Sequence, residues 1–313
     1  MSPTAHRWIR RALQLAGLTA AAWYLVHTAQ THRAELAAVP IILKPVPLLA
    51  ASLLTVLTWL LLVRTWSRSL RWWGDSLPLG PAIRIWFVTN LSRFVPGAIW
   101  QFAHVSAEAL SARISPVAAT GAMLFQQLVL LGTGVALTVS LAPALPMSVL
   151  GTTNPAVALG LASLGVVAVI ILLPILAPTL ERWTCRLLRR EVRWPLPTRG
   201  ELTRYVGTLV LPWLAYGVAF WLFGRALLGD AAPGLLPAAA VFIGSYVAGI
   251  IAVFAPGGLG VREAAMVVLL SPITGPAPAL LLAIASRLWL VALEILTALG
   301  VLLWHRRGVS FAE

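Results

Sequence analysis

"GIIAVFAPGGLGVREAAMVVLL", residues 249 to 270, decides the fold. An apolar run that could be one long helix stops at Pro256-Gly257-Gly258, then places Arg262 and Glu263 directly after the stop. Proline lacks the backbone donor and glycine adopts dihedrals closed to other residues. The triplet therefore ends one helix and lets the chain turn sharply before the next. A second interruption matches it: "FVPGAIW" at 94 to 100 and "FAPGGLG" at 254 to 260 share Phe-x-Pro-Gly-x-aliphatic. Paired breaks in two halves of an apolar chain point to a central site, because backbone left unsatisfied at membrane depth is tolerated only against protein or a watery cavity. The competing reading is two ordinary loops at a membrane surface.

The surrounding composition supplies the solvent. Of 313 residues, 59% are hydrophobic and 11% charged, and the mean hydropathy is +0.89. Soluble domains carry about 25% charged residues, so this is the composition of an integral membrane protein. Runs near the roughly 20 residues needed to span occur at 8 to 28, 46 to 66, 117 to 141, 150 to 177, 204 to 228 and 278 to 303. Two further apolar regions, 81 to 112 and 236 to 271, are broken near the middle. The first run is too long for a signal peptide, and no small-residue cleavage pattern follows it before His32 and Arg33. The lone Cys185 excludes an intramolecular disulfide and any paired-cysteine metal site.

The net charge of +13 is nearly all arginine at the ends of apolar runs. Topology and anionic lipid head groups explain it, and no nucleic acid is required. Arg7, Arg10 and Arg11 place the amino terminus inside, and Arg64, Arg68, Arg71 and Arg84 do the same for the connection after the second run. The connection 178 to 204 carries Arg182, Arg186, Arg189, Arg190, Arg193, Arg199 and Arg204, and Arg306 and Arg307 close the chain. In that connection Trp183, Leu187, Leu188 and Val192 recur at helical spacing, which fits an interfacial helix or an extension of the preceding one.

These clusters are satisfied by an all-α polytopic membrane protein of about six full transmembrane helices plus two oppositely oriented re-entrant hairpins, an inverted-repeat-like plan. Counting each hairpin as two complete spans keeps the same parity. Arms of about 14 to 20 residues favour re-entrance. The expected organisation is one transmembrane domain over 1 to 313, its halves (1 to 177 and 205 to 313) joined by the arginine-rich connection, with both termini cytoplasmic.

Polar residues follow each break. After the first, Gln101, His104 and Glu108 share one helix face. After the second, Glu263 suits the amino end of a helix dipole, whereas Arg262 opposes it and needs a partner inside a membrane. Arg262 and the amides of a helix start both attract an anion. A substrate phosphate or carboxylate would satisfy them, as would Glu108, Glu263 or Glu294 from within. Arg93, Gln126, Gln127, Arg287 and Glu294 are the other polar residues in apolar surroundings. Arg287 and Glu294 lie seven apart on one face, neutralised through a neighbour or with the arginine reaching the interface. Gln126 and Gln127 can act as interhelical hydrogen-bonding groups. His104-x-x-x-Glu108 lacks a third ligand, so no metal is expected.

"APGGLGVREAAMVVLL" followed by "ALLLAIASRLW" resembles the carboxyl-terminal signature of the lysylphosphatidylglycerol synthase transmembrane-region family, the flippase-like domain proteins, and "LSRFVPGAIWQ" is similar to its first break. The likeness runs over roughly residues 10 to 305. It implies a polytopic fold with re-entrant helices that handles lipids, in some members by flipping an aminoacylated phospholipid. The motif positions carried over are Pro96, Gly97 and Trp100, then Pro256, Gly257, Gly258, Gly260, Arg262, Glu263 and Arg287. Many relatives have a Glu-Arg pair where this chain reads "LFQQLVLLG", and Gln126 and Gln127 cannot carry that charge. No segment here corresponds to a soluble aminoacyl transferase domain, so aminoacylation is not expected of this chain alone.

The expected function is a lipid translocase that is not ATP-driven, moving an anionic or zwitterionic phospholipid or a polyprenyl-phosphate lipid. In it Pro96, Gly97 and Pro256 act as hinges. Arg262, Glu263, Gly257, Gly258, Gly260, Arg287, Glu108, His104, Gln101, Arg93 and Trp100 line the substrate path. Catalytic residues and cofactors are not expected. The expected partners are a membrane lipid and either a second copy of the chain or a membrane enzyme. Competing functions are a scaffold subunit for a biosynthetic enzyme, a polyprenyl-phosphate-dependent transferase and a carrier of a small soluble anion. A transferase would need a carboxylate base or metal ligands at a membrane face, where the outer segments offer only Glu35 and Asp230.

Overall fold

The computed structural model describes residues 23, 25–90, 99–146, 179, 182, 197–252 and 255–306. Among them every regular element is helical. The α-helices are α1 (Arg33–Ala38), α2 (Pro45–Ser69), α3 (Leu79–Asn90), α4 (Ile99–Ser111), α5 (Pro116–Leu141), α6 (Arg199–Leu228), α7 (Leu235–Ile251), α8 (Val261–Thr274) and α9 (Pro276–Arg306). Four segments are long and apolar enough to cross a membrane: Pro45–Trp73, Pro116–Ala144, Arg199–Ala231 and Pro276–Trp304. They match the runs expected at 46 to 66, 117 to 141, 204 to 228 and 278 to 303. The run at 150 to 177, most of that at 8 to 28, most of the arginine-rich connection and the first break itself lie outside the described residues.

Local chemistry places the boundaries. Ser115 accepts from the Ala118 amide at 3.4 Å and Pro116 follows it, so α5 begins with a side-chain cap and a ring already set at the helical φ. The start of α6 lies further back than hydropathy indicated. Thr198 Oγ1 accepts from the Glu201 amide while Glu201 accepts from the Thr198 amide, a capping box that carries the helix beyond the apolar run to Arg199.

One end of the bundle holds the exposed arginines Arg64, Arg68, Arg71, Arg113, Arg199 and Arg204. There the Asp75 carboxylate accepts from the Ser115 amide at 3.0 Å, the Trp66 indole donates to the Ala119 carbonyl at 3.2 Å, and Trp72 packs on Tyr205. At the opposite end the Ile42 and Lys44 amides donate to the Leu227 and Ala226 carbonyls, joining the entry to α2 with the exit from α6. Small residues draw the helices together between these ends. Gly217 faces Ala239, and Gly134 faces Trp213 and Val247, with no room for a further methyl at either glycine.

Two helix pairs differ from the long spans. α3 and α4 occupy the region expected as 81 to 112 and pack on one another. α7 and α8 occupy 236 to 271, with the break at 252 to 260 as the sequence predicts. α7 has 17 residues and α8 has 14, about 25 and 21 Å at 1.5 Å per residue. α7 starts at the end away from the arginines and runs antiparallel to α6, so that Ala239 meets Gly217 and Tyr246 meets Trp213. A single residue, Gly275 at φ 86°, joins α8 to α9.

Candidate functional site

The turn between α7 and α8 works because it is made of glycine. Gly257, Gly258 and Gly260 have φ of 59°, 68° and 79°, the left-handed region that side-chain-bearing residues enter at a cost of about 1 to 2 kcal/mol. Gly258 also presses on the last turns of α7. A Cβ built there would stand 3.0 Å from the Gly249 Cα and 3.1 Å from its carbonyl oxygen. The Gly249–Gly258 approach sets how deeply α8 starts inside the bundle.

Arg262 and Glu263 follow at the first turn of α8, 5% and 7% exposed. Glu263 has two tasks. Its Oε2 accepts from the Gly260 amide at 2.7 Å, capping the helix, and its Oε1 stands 3.7 Å from the Arg287 guanidinium. Arg287 on α9 also donates to the Gly257 carbonyl at 3.1 Å, closing a ring of contacts around the turn. The Arg262 guanidinium points the other way. It lies 4.9 Å from the centre of the Phe242 ring and 4.8 Å from that of Tyr246, two aromatic faces one helical turn apart on α7. A cation on two π faces gains attraction without exposure to water.

Tyr246 is shared with a second feature. A small, partly open cleft has walls of Trp59, Trp86, Trp213, Tyr216 and Tyr246, with the carboxamides of Asn90 and Gln127 among them. Trp59 is 14 residues from the start of α2 and 10 from its end, about 21 and 15 Å along the axis. The cleft therefore lies near mid-depth of the bundle. Asn90 donates to Glu294 at 3.4 Å, and Glu294 is 4% exposed.

Of the residues expected to act together, Gly257, Gly258, Gly260, Arg262, Glu263 and Arg287 form one cluster around the turn; Pro256 opens that turn. Glu108 is elsewhere, bound to Arg84 of α3 at 2.6 Å near the arginine-bearing end. His104 is on α4, partly buried, one turn before Glu108. Trp100 and Gln101 are in the first turn of α4 with side chains outside the described set, and Arg93, Pro96 and Gly97 precede it, also outside. Arg287 faces Glu263 across the helices, and Glu294 accepts from Asn90. Gln126 donates to the Leu62 carbonyl at 3.1 Å, the interhelical bond anticipated for it.

Phe242, Tyr246, Gly249 and Asn90 were not singled out from the sequence. Phe242, Tyr246 and Gly249 share a face of α7, which is readable; that Arg262 occupies this face is not. Among the described residues no cluster of three or more His, Cys, Asp or Glu could hold a metal.

The family model of the lysylphosphatidylglycerol synthase transmembrane region matches residues 12–302. The chain belongs to this family. It is a membrane protein of that family, and the turn at Pro256–Gly258 with Arg262, Glu263 and Arg287 lies within the matched region. No curated protein matches the chain.

Proposed function

We propose that the protein translocates a lipid across the cytoplasmic membrane without nucleotide hydrolysis. The lipid is an anionic or zwitterionic phospholipid or a polyprenyl phosphate. The observation that carries this reading is the shared wall: Tyr246 bears the Arg262 guanidinium and also lines the mid-depth cleft. A lipid phosphate next to Arg262 would place its head group in that cleft. An intramembrane arginine held near a helix start is a default functional site, and membership of a family whose resemblance implies lipid handling supports a lipid cargo.

In this reading the α7–α8 pair is re-entrant. Its arms are shorter than the roughly 20 residues of a full span, and α3–α4 is its counterpart entering from the arginine-bearing, cytoplasmic side. Glu263 and Arg287 hold the turn, and exchange of their contact between access states lets the tip move. The test is a liposome assay with fluorescently labelled phospholipids and a labelled polyprenyl phosphate. Wild type should equilibrate at least one of them between leaflets. Arg262→Ala should lose that activity by tenfold or more while eluting as a monodisperse, helical protein. Wild-type protein that moves none of these lipids and binds none would sink the proposal.

A further inference from the structure

α2 carries a cationic feature on the outside of the bundle. Arg64 and Arg68 on α2 and Arg71 in the 3₁₀ turn Leu70–Trp73 that continues it are all exposed. Spacings of four and three residues put them on one face. Toward the far end the same face continues as Leu57, Leu53 and Val46, also exposed, while Thr65, Trp66 and Ser69 on the other side are buried. The face is thus an apolar track that ends in a column of three guanidiniums.

None of the three makes a hydrogen bond, an ion pair or a ring contact with a described residue. The acids described at that end are occupied: Asp75 accepts from the Ser115 amide, Glu201 from Thr198, and Glu108 is bound to Arg84.

Two ordinary causes place arginine at such an end. Topology favours it in the connections, and the helix dipole favours it in the last turn. Arg64 meets neither description. It stands five residues before the end of α2 at Ser69 and nine before the end of the apolar segment at Trp73, the latter about 14 Å along the axis. Its route back to the interface is also unfavourable. Side chains on a helix tilt toward the amino terminus, and α2 starts at the end away from the arginines. Arg64 therefore leans toward the membrane interior, where a guanidinium is stabilised by an anion brought to it.

A phospholipid brings that anion with the right shape. Its phosphate accepts the paired N–H groups of a guanidinium, and its chains cover the leucines that follow on the same face. The rest of the head group decides which phospholipid. An ammonium would stand among three positive charges, whereas a glycerol would not.

We propose that the arginine face of α2 holds an anionic phospholipid of the surrounding bilayer, its phosphate between Arg64 and Arg68 and its chains along Leu57 and Leu53. Arg71 adds positive charge at the head-group level. The lipid is an attached one on the outer surface, separate from a cargo at Arg262, which is buried within the bundle.

The test uses the full chain in a neutral detergent, titrated with dioleoyl phosphatidylglycerol or dioleoyl phosphatidylcholine, with bound lipid counted by native mass spectrometry. Phosphatidylglycerol should bind about tenfold or more tightly, on a scale of about fivefold per arginine beside an anionic lipid. Arg64→Gln with Arg68→Gln should abolish most of that preference, and Arg64→Gln alone should weaken it about fivefold. Arg113→Gln with Arg199→Gln removes the same charge from the same end and should leave the preference intact. Arg262→Ala should leave it intact as well. No preference in the wild type, or equal losses in the two charge-matched double variants, would overturn the proposal, the latter because net charge alone would then hold the lipid. A preference lost in Arg262→Ala and kept in the α2 variants would also overturn it by assigning the lipid to the cargo site. The translocase reading stands or falls separately, on leaflet exchange in liposomes.

Discussion

Gly258→Ala isolates the contact that positions the site. Two costs arise at that position. The backbone has φ 68°, which costs an alanine about 1 to 2 kcal/mol. The new Cβ also meets three backbone atoms of Gly249 at 3.0, 3.1 and 3.2 Å. Backbone cannot rotate away as a flexible side chain can, so the overpacking cost is about 1 to 3 kcal/mol. The sum, about 3 kcal/mol, corresponds to roughly a hundredfold change in the folding equilibrium. Two controls separate the terms. Gly74→Ala has φ 79° and open space around it, so it reports strain alone. Gly207→Ala is inside α6 with open space, and should be neutral or stabilising by about 0.5 to 1 kcal/mol. The assay is equilibrium unfolding in mixed micelles, followed by helicity and tryptophan fluorescence. If Gly258→Ala costs no more than Gly74→Ala, the α7–α8 approach is not a tight contact and the reasoning fails.

Glu263 and Trp213 supply two further expectations. Glu263→Ala strips both the helix cap and the carboxylate facing Arg287, an 8% and 11% exposed pair of side chains, and should destabilise by about 3 kcal/mol because the cap is lost and the buried Arg287 guanidinium keeps a carbonyl but no facing carboxylate. Glu263→Gln, which can still accept from Gly260, should recover part of that loss in the same unfolding assay. Trp213→Phe keeps the ring but removes the indole donor to the Leu130 carbonyl and the Thr133 hydroxyl, while the Thr133 hydroxyl still donates to the Leu130 carbonyl, and should cost about 1 kcal/mol in the same measurement.

The break at Pro256-Gly257-Gly258 was legible because its cause is local: a missing donor and three positive-φ glycines within five residues. Glu263 as a first-turn acid was equally legible, since its bond to the Gly260 amide spans three residues. The capping box at Thr198 and Glu201 was present in the sequence too, yet the arginines around it read as connection, and the start of α6 was placed at 204 instead of 199. Hydropathy does not register hydrogen bonds.

What the linear chain determined by itself is the class of solvent, the long apolar spans, the position of the second break and the candidacy of Arg262, because each follows from chain-local rules of length, charge and backbone freedom. Tertiary structure decided the partners. Arg287 goes to Glu263 across 24 positions, Glu294 to Asn90 across 204, Glu108 to Arg84, and Arg262 to two rings of α7. Charges inside a membrane must find partners, and which partners they find is set by which helices pack together; for Arg262 that packing includes Gly249 and Gly258 meeting backbone to backbone.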